Sequence, residues 1–100
     1  MVITEIINVN GKAVHGVCIK APGGEGHPDM LVIEGKKGYI MCGYLNIDTA
    51  TVLNDAACVI SGATFEEQLV NPVKAVSPEA EKLGIKIGMT GAEVCDILNA

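Results

Sequence analysis

The sequence predicts an α+β fold, in which an N-terminal, largely antiparallel β-sheet of hairpin or meander type carries helices packed mainly on one face. Two observations support this class: β-rich runs fill the first half of the chain, and helix-start signals are concentrated in the second half. Strands followed by helices are typical of α+β proteins. Because the chain has 100 residues and no linker, we expect one domain, 1–100.

The first predicted element is a β-hairpin over residues 2–21. The pair Asn10-Gly11 separates the runs 2–9 and 13–21, and it is a favoured type I′ turn because both residues tolerate positive φ. This turn sets a register with the cross-strand pairs Val9–Lys12, Ile7–Val14, Ile6–His15 and Ile3–Cys18. One face then carries Ile3, Ile7, Val14 and Cys18, and the other carries Val2, Ile6, Val17 and Ile19. A strand pair that is apolar on both faces is covered on both faces, so we expect the hairpin to be the contact between subunits.

A loop and a second hairpin follow. Residues 21–29 contain three glycines and two prolines, a composition that excludes a helix or a central strand. Predicted strands at 30–33 and 39–42 flank a glycine-containing turn, which is the pattern of a hairpin.

The second half of the chain predicts four helices and two short strands. The first helix spans 47–57, is capped by Asn46 or Asp48, and turns an apolar stripe of three- and four-residue spacing toward the sheet: Ile47, Ala50, Leu53 and Ala57. Strands are expected at 58–60 and 73–76, and the helix between them begins at Thr64 and stops before Pro72. The last two helices begin at Ser77 and Thr90; the former ends at Gly84, and the latter buries Ala92, Cys95 and Leu98.

Charge and composition exclude several functions. The net charge is −5 and the chain has no arginine and three aromatic residues, which opposes binding to nucleic acid or to an anionic membrane surface. No apolar run approaches the roughly 18 residues of a membrane span. The N-terminal segment has neither the basic region nor the cleavage site of a signal peptide. We therefore expect a soluble protein of the cytoplasm.

Four cysteines and a high apolar content bear on metal binding and assembly. Cys18, Cys42, Cys58 and Cys95 form no C-x-x-C pair, so zinc-ribbon and thioredoxin chemistry are not indicated. In the cytoplasm we expect reduced, buried thiols. An apolar fraction of 49% is high for a monomer of this size, which hides only about two-thirds of its unfolded surface. We therefore expect a homo-oligomer.

The run G-Y-I-M-C-G-Y-L-N, from Gly38 to Asn46, leaves two interpretations open. Cys42 has the place of a nucleophile or contact group, because a helix follows it and Gly43 leaves room for a substrate. Alternatively, a small side chain and a glycine are needed where the chain turns out of the sheet. The candidate contacts for a small-molecule ligand are Tyr39, Cys42, Gly43, Tyr44, Asn46 and His15, the last from the same or a neighbouring subunit.

Metal and cofactor signals are weak. Glu25, His27 and Asp29 alternate in the glycine-rich loop and could approach one ion. Glycine and proline serve turn geometry without a metal, and the chain has only two histidines, so we predict no metal site and no cofactor. Hydrolase motifs such as G-x-S-x-G and H-E-x-x-H are missing, which leaves enzymatic activity uncertain and makes a non-enzyme the favoured interpretation.

Two motifs resemble the YunC-like family, small bacterial and archaeal proteins of unknown function. They are G-Y-I-M-C-G-Y-L-N and, some forty residues later, A-E-K-L-G-I-K-I-G-M-T-G. The resemblance covers nearly the whole chain and implies an α+β fold whose N-terminal β region mediates tetramerisation; it implies no activity. The resulting expectation is a homotetrameric binding or structural module. The alternative is a small cysteine-dependent enzyme or ligand sensor with its site around Cys42.

Overall fold

The computed structural model describes all 100 residues and contains one six-stranded sheet with four helices. The strands, in chain order and in sheet order, are β1 (Val2–Val9), β2 (Lys12–Ile19), β3 (Met30–Glu34), β4 (Tyr39–Met41), β5 (Ala57–Val59) and β6 (Ala75–Val76). The helices are α1 (Ile47–Val52), α2 (Phe65–Val70), α3 (Pro78–Lys82) and α4 (Gly91–Leu98). Neighbouring strands are antiparallel except β4 and β5, which are parallel and joined through α1. The predicted α+β class is confirmed.

The first hairpin has the predicted turn and register. Asn10 and Gly11 have φ values of 52° and 83°, the conformation that a type I′ turn requires. Ile7 lies opposite Val14, and the remaining predicted pairs are also present: Val9–Lys12, Ile6–His15 and Ile3–Cys18. A two-residue turn fixed by its own sequence therefore sets the positions of sixteen strand residues.

The two faces of the sheet are covered unequally. The main core lies on one face, where the strands contribute Val14, Leu31, Ile33, Ile40 and Cys58, and where α4 contributes Val94, Cys95 and Leu98. Phe65 of α2 and Ala80 of α3 belong to the same cluster. On the opposite face, α1 covers only β4 and β5 with a small cluster of Met41, Ala50 and Ala57. The helices thus pack mainly on one face, and α1 is the exception.

The helix α1 is shorter than predicted. It ends at Val52, and Asn54 has a left-handed backbone with φ of 60°, so the helical pattern cannot extend to residue 57. Ala57 instead enters β5 and pairs with Tyr39. Leu53, expected to face the sheet, is 64% exposed. The predicted stripe was therefore wrong beyond Ala50, because its spacing continued by coincidence through a turn.

Two smaller differences concern the last elements. The strand expected at 73–76 is limited to Ala75–Val76, since the backbone of Val73 bonds to Met89 and Gly88 rather than to β5. In α4 the predicted residues Cys95 and Leu98 are buried, whereas Ala92 is half-buried and Val94 takes the central place. None of the four helices has the length and apolar character that crossing a bilayer requires.

One apolar surface remains without a helix above it. The outer face of the β1–β2 hairpin carries Val2 and Ile6, which are 63% and 71% exposed, beside the half-buried Val17 and Ile19. We name this surface the open face. The hairpin is thus apolar on both faces, as predicted, and this chain covers only one of them.

Candidate functional site

A cleft of about 400 Å³ opens where β4 ends. Three segments distant in sequence line it: the end of the glycine-rich loop, the turn after β4 and the turn after β5. Its lining residues are Pro28, Asp29, Cys42, Gly43, Tyr44, Ser61 and Gly62. The structure therefore brings together three of the predicted ligand contacts, Cys42, Gly43 and Tyr44, with Asp29, one of the weak metal candidates.

Cys42 lies at the floor of the cleft and ends the ladder between β3 and β4. Its N–H donates to the Leu31 carbonyl at 3.2 Å, as the next rung of the ladder would require. Its own carbonyl accepts from the Leu45 N–H at 3.2 Å and so belongs to the following turn. The Leu31 N–H consequently donates to Cys42 Sγ, at 3.3 Å. The thiol takes the place of a backbone carbonyl at the end of the ladder.

Both interpretations of Cys42 have a structural counterpart. Its side chain is only 4% exposed and belongs to the main core, as a packing role requires. It also borders the cleft, and a side chain at the neighbouring Gly43 would meet nothing within 4 Å. The sulfur is thus nearly buried, with open space next to it.

Tyr44 and Asp29 hold the glycine-rich loop against the cleft. The Tyr44 hydroxyl donates to the Pro28 carbonyl at 3.1 Å. The Asp29 carboxylate accepts from Lys20 Nζ and from the Ala21 N–H, both at 3.0 Å. The hydrogen bond from Lys20 and that from Ala21 hold the pKa of Asp29 below its usual value. These contacts close residues 21–29 into a loop with a fixed base.

The weak metal candidates Glu25, His27 and Asp29 do not form a cluster of ligands. Asp29 is engaged by Lys20 and Ala21, and the His27 ring lies against Gly23, where an added Cβ would be 2.8 Å from Nδ1. Glu25 is exposed in the same loop. No group of three or more His, Cys, Asp or Glu side chains has the arrangement of a metal site.

Three predicted ligand contacts lie away from the cleft. Tyr39 is on the opposite face of the sheet, where its hydroxyl donates to Asp55 Oδ2 at 2.8 Å. The Asn46 side chain caps α1 by accepting from the Asp48 N–H at 2.8 Å. His15 belongs to the open face, with Nδ1 3.9 Å from Glu34 Oε1. Within one chain these three residues therefore lie apart from the cleft at Cys42, and their shared role in a ligand site stays a prediction.

The other wall of the cleft was missed in the sequence. Ser61 and Gly62 follow β5, which is parallel to β4, so the turns after these two strands lie at the same end of the sheet. Ends of adjacent parallel strands are common ligand sites. The signal in the sequence was a Ser-Gly pair directly after a short buried strand.

The deeper thiols have a different environment from Cys42. Burial raises the pKa of Cys58 to about 12 and that of Cys95 to about 11, and all four cysteines are free. A thiol with so high a pKa is almost entirely protonated at neutral pH and is a poor nucleophile. Cys58 and Cys95 are therefore packing residues, and neither lines the cleft.

Comparisons with known proteins agree in giving no activity. The model of a family described as a domain of unknown function, DUF1805, matches residues 41–98. The uncharacterised protein YunC of Bacillus subtilis (strain 168) is 31% identical over 87% of this chain and 87% of its own length. The crystal structure of a protein of unknown function from Thermoplasma acidophilum has a TM-score of 0.87 and 34% identity, covering 99% of this chain and 94% of that one.

The matched residues include most of the cleft. Cys42, Gly43, Tyr44, Ser61 and Gly62 lie within residues 41–98, whereas Pro28 and Asp29 lie outside that range. The β1–β2 hairpin also lies outside it. The chain belongs to the DUF1805 family of domains of unknown function, and it is similar over most of its length to YunC.

Proposed function

We propose that the protein is a homo-oligomeric binding module of the cytoplasm, assembled as a tetramer through its N-terminal hairpin. The observation that supports this assembly is the open face, where Val2 and Ile6 are more than 60% exposed beside half-buried apolar neighbours. Burying such a surface removes apolar area from water at roughly 25 cal/mol per Å². A second copy of the chain is the partner that the composition and the resemblance to YunC-like proteins favour.

The binding role rests on the cleft at Cys42. Its volume of about 400 Å³ falls in the range of roughly 300 to 1,000 Å³ that is usual for small-molecule sites. Its lining combines apolar surface with the polar residues Ser61, Asp29 and Tyr44. These groups suit a small ligand that has hydrogen-bond donors.

Light scattering at low micromolar concentration tests the assembly. We expect a mass four times that of the 10.4 kDa chain. Ile6→Lys should lower this mass, because it places a charge on the open face. Val70→Lys is the matched control, since Val70 is 70% exposed on α2, outside the hairpin. A wild-type protein with the mass of one chain would overturn the proposal.

A second candidate function is a cysteine-dependent enzyme or ligand sensor at Cys42. One observation favours it: among the four thiols only Cys42 borders this cleft, and its sulfur accepts the Leu31 N–H there. Timed alkylation at pH 7 with peptide mapping tests it. We expect Cys42 to react well before Cys58 and Cys95. Equal inertness of all four thiols would leave Cys42 with its packing role.

A further inference from the structure

The outer edge of β1 lacks the usual protection of an edge strand. β1 has eight residues and lies at one end of the sheet, whereas β6 at the other end has two. Exposed edges are normally blunted by Lys, Pro, a bulge or a short length, because their free N–H and C=O groups can pair with another strand. β1 contains no Lys, Pro or Gly, and its one charge is Glu5.

The backbone groups that remain free can be identified. The Lys20 N–H donates to the Met1 carbonyl at 2.9 Å, so Met1–Lys20 is a hydrogen-bonded pair. Bonded and non-bonded pairs alternate along an antiparallel ladder. Ile3, Glu5, Ile7 and Val9 therefore bond to β2. The outward N–H and C=O groups belong to Val2, Thr4, Ile6 and Asn8.

We propose that β1 pairs antiparallel with β1 of a second copy, with the two-fold axis at Thr4. In this register Val2 of each copy lies opposite Ile6 of the other, so the two most exposed apolar side chains of the strand contact each other. Glu5 lies opposite Ile3. The two six-stranded sheets become one continuous twelve-stranded sheet.

Neighbouring symmetric registers are less favourable. An axis at Glu5 would set the two Glu5 carboxylates directly opposite each other, and like charges in that position are destabilising. An axis at Ile6 would pair Ile6 with Ile6, but it would place Asn8 against Thr4 and Asn10 against Val2, which gives Val2 a polar partner. Of these three registers, the one centred on Thr4 alone keeps the Glu5 carboxylates apart and gives both Val2 and Ile6 an apolar partner.

This inference rests on the proposed assembly and explains why it has four copies. A self-complementary contact through the open face alone gives a dimer. A second two-fold contact through the β1 edge joins two such dimers into a closed tetramer. The hairpin supplies both contacts, one through its face and one through its edge.

Disulfide trapping tests the register. Opposed residues of a hydrogen-bonded pair have Cα atoms about 5.5 Å apart, within the range that a disulfide spans. Thr4→Cys should therefore give a covalent dimer on mild oxidation of the native protein, seen on a non-reducing gel. Val2→Cys and Ile6→Cys are matched controls. In this register each of these residues lies about 13 Å along the strand from the same residue of the second copy. The parent chain, with four buried cysteines, gives the background. Cross-linking at Ile6→Cys instead, or at none of the three positions, would overturn the register.

Removal of one outward donor tests the edge contact itself. Thr4→Pro deletes an N–H that points away from β2, a position where proline is tolerated in edge strands. We expect light scattering to fall from four chains to two, while Thr4→Val, which keeps the N–H, leaves four. If Thr4→Pro stays tetrameric, the edge contact is wrong and the proposed assembly stands. If the wild-type protein is a single chain, the assembly itself is wrong.

Discussion

Leu31 and Cys42 exchange two hydrogen bonds, one through a backbone carbonyl and one through a thiol. The Cys42 N–H donates to Leu31 O at 3.2 Å, and the Leu31 N–H donates to Cys42 Sγ at 3.3 Å. The sulfur thus completes a rung that the Cys42 carbonyl cannot make, because that carbonyl bonds to Leu45. A cysteine at this position links the start of β3 to the floor of the cleft.

Replacing this thiol should destabilise the protein through Leu31. Cys42→Ala leaves the buried Leu31 N–H without its acceptor, which costs about 1–3 kcal/mol in the free energy of unfolding. Urea denaturation at matched protein concentration measures this loss, and hydrogen exchange should show faster exchange at Leu31. Cys58→Ala is the control, because it removes a buried sulfur that accepts no hydrogen bond. Unchanged protection of the Leu31 amide would contradict the assigned role of the sulfur.

The Tyr39–Asp55 contact should make stability fall at alkaline pH. Burial and the hydrogen bond to Asp55 raise the pKa of Tyr39 from 10.0 to about 12. The folded state thus favours the neutral phenol of Tyr39. The contribution of this phenol to the free energy of unfolding is complete below pH 10 and is lost as the pH rises through about 12. Absorbance at 295 nm should show a tyrosine transition near pH 12 that Tyr39→Phe lacks.

The matching stability measurement isolates Tyr39 from the buried thiols. Cys58 and Cys95 also have raised pKa values, but they are present in both proteins. Between pH 10 and 12, the wild type should lose more free energy of unfolding than Tyr39→Phe. Identical alkaline losses would show that the phenol does not contribute.

Asp29 should control the order of the glycine-rich loop. The hydrogen bond from Lys20 lowers the pKa of Asp29, so the ion pair is complete above the usual carboxyl pKa and is lost as the pH falls through the lower, folded value. Asp29→Asn should speed amide exchange at Ala21 and Gly24 at neutral pH. Glu25→Gln is the control, because Glu25 belongs to the same loop and forms no ion pair. Equal exchange in both variants would mean that the loop is held elsewhere.

Gly38 and Gly43 should respond oppositely to an added methyl group. A Cβ at Gly38 would overlap the backbone oxygen of Ala56, which accepts from the Tyr39 N–H. Gly38→Ala should therefore lower the free energy of unfolding by about 1–3 kcal/mol. Gly43→Ala meets no atom within 4 Å and should change it by less than about 0.5 kcal/mol. Comparable thermal midpoints for the two variants would contradict this difference.

Local signals in the sequence predicted much of the fold. The Asn10-Gly11 turn fixed the hairpin register, and the caps Thr64, Ser77 and Thr90 fixed three helix starts. These features depend on a few consecutive residues. The end of α1 was missed because Ala57 pairs with Tyr39 of β4, a contact made across a turn that the apolar spacing of the helix does not reveal.

The cleft was predicted only in part, for two physical reasons. Pro28, Ser61 and Gly62 reach Cys42 only through the order of strands in the sheet. Tyr39 was grouped with Cys42 although an odd separation along a strand places two side chains on opposite faces. The alternation of strand faces would have excluded Tyr39, whereas the Ser-Gly pair after β5 reaches Cys42 only because β5 pairs in parallel with β4.

Strand order equal to chain order has a kinetic consequence. Each strand of the sheet pairs with the next one along the chain, so every pairing closes a short segment. The two longest connections between paired strands are those from β4 to β5 and from β5 to β6. They contain α1 and α2, respectively, and a helix shortens the distance between the strand ends that must meet. Chains with mainly local pairings fold quickly, since little loop entropy is lost before contacts form. For the proposed assembly we therefore expect each copy to complete its fold before it meets another, so that association joins finished surfaces rather than unfolded chains.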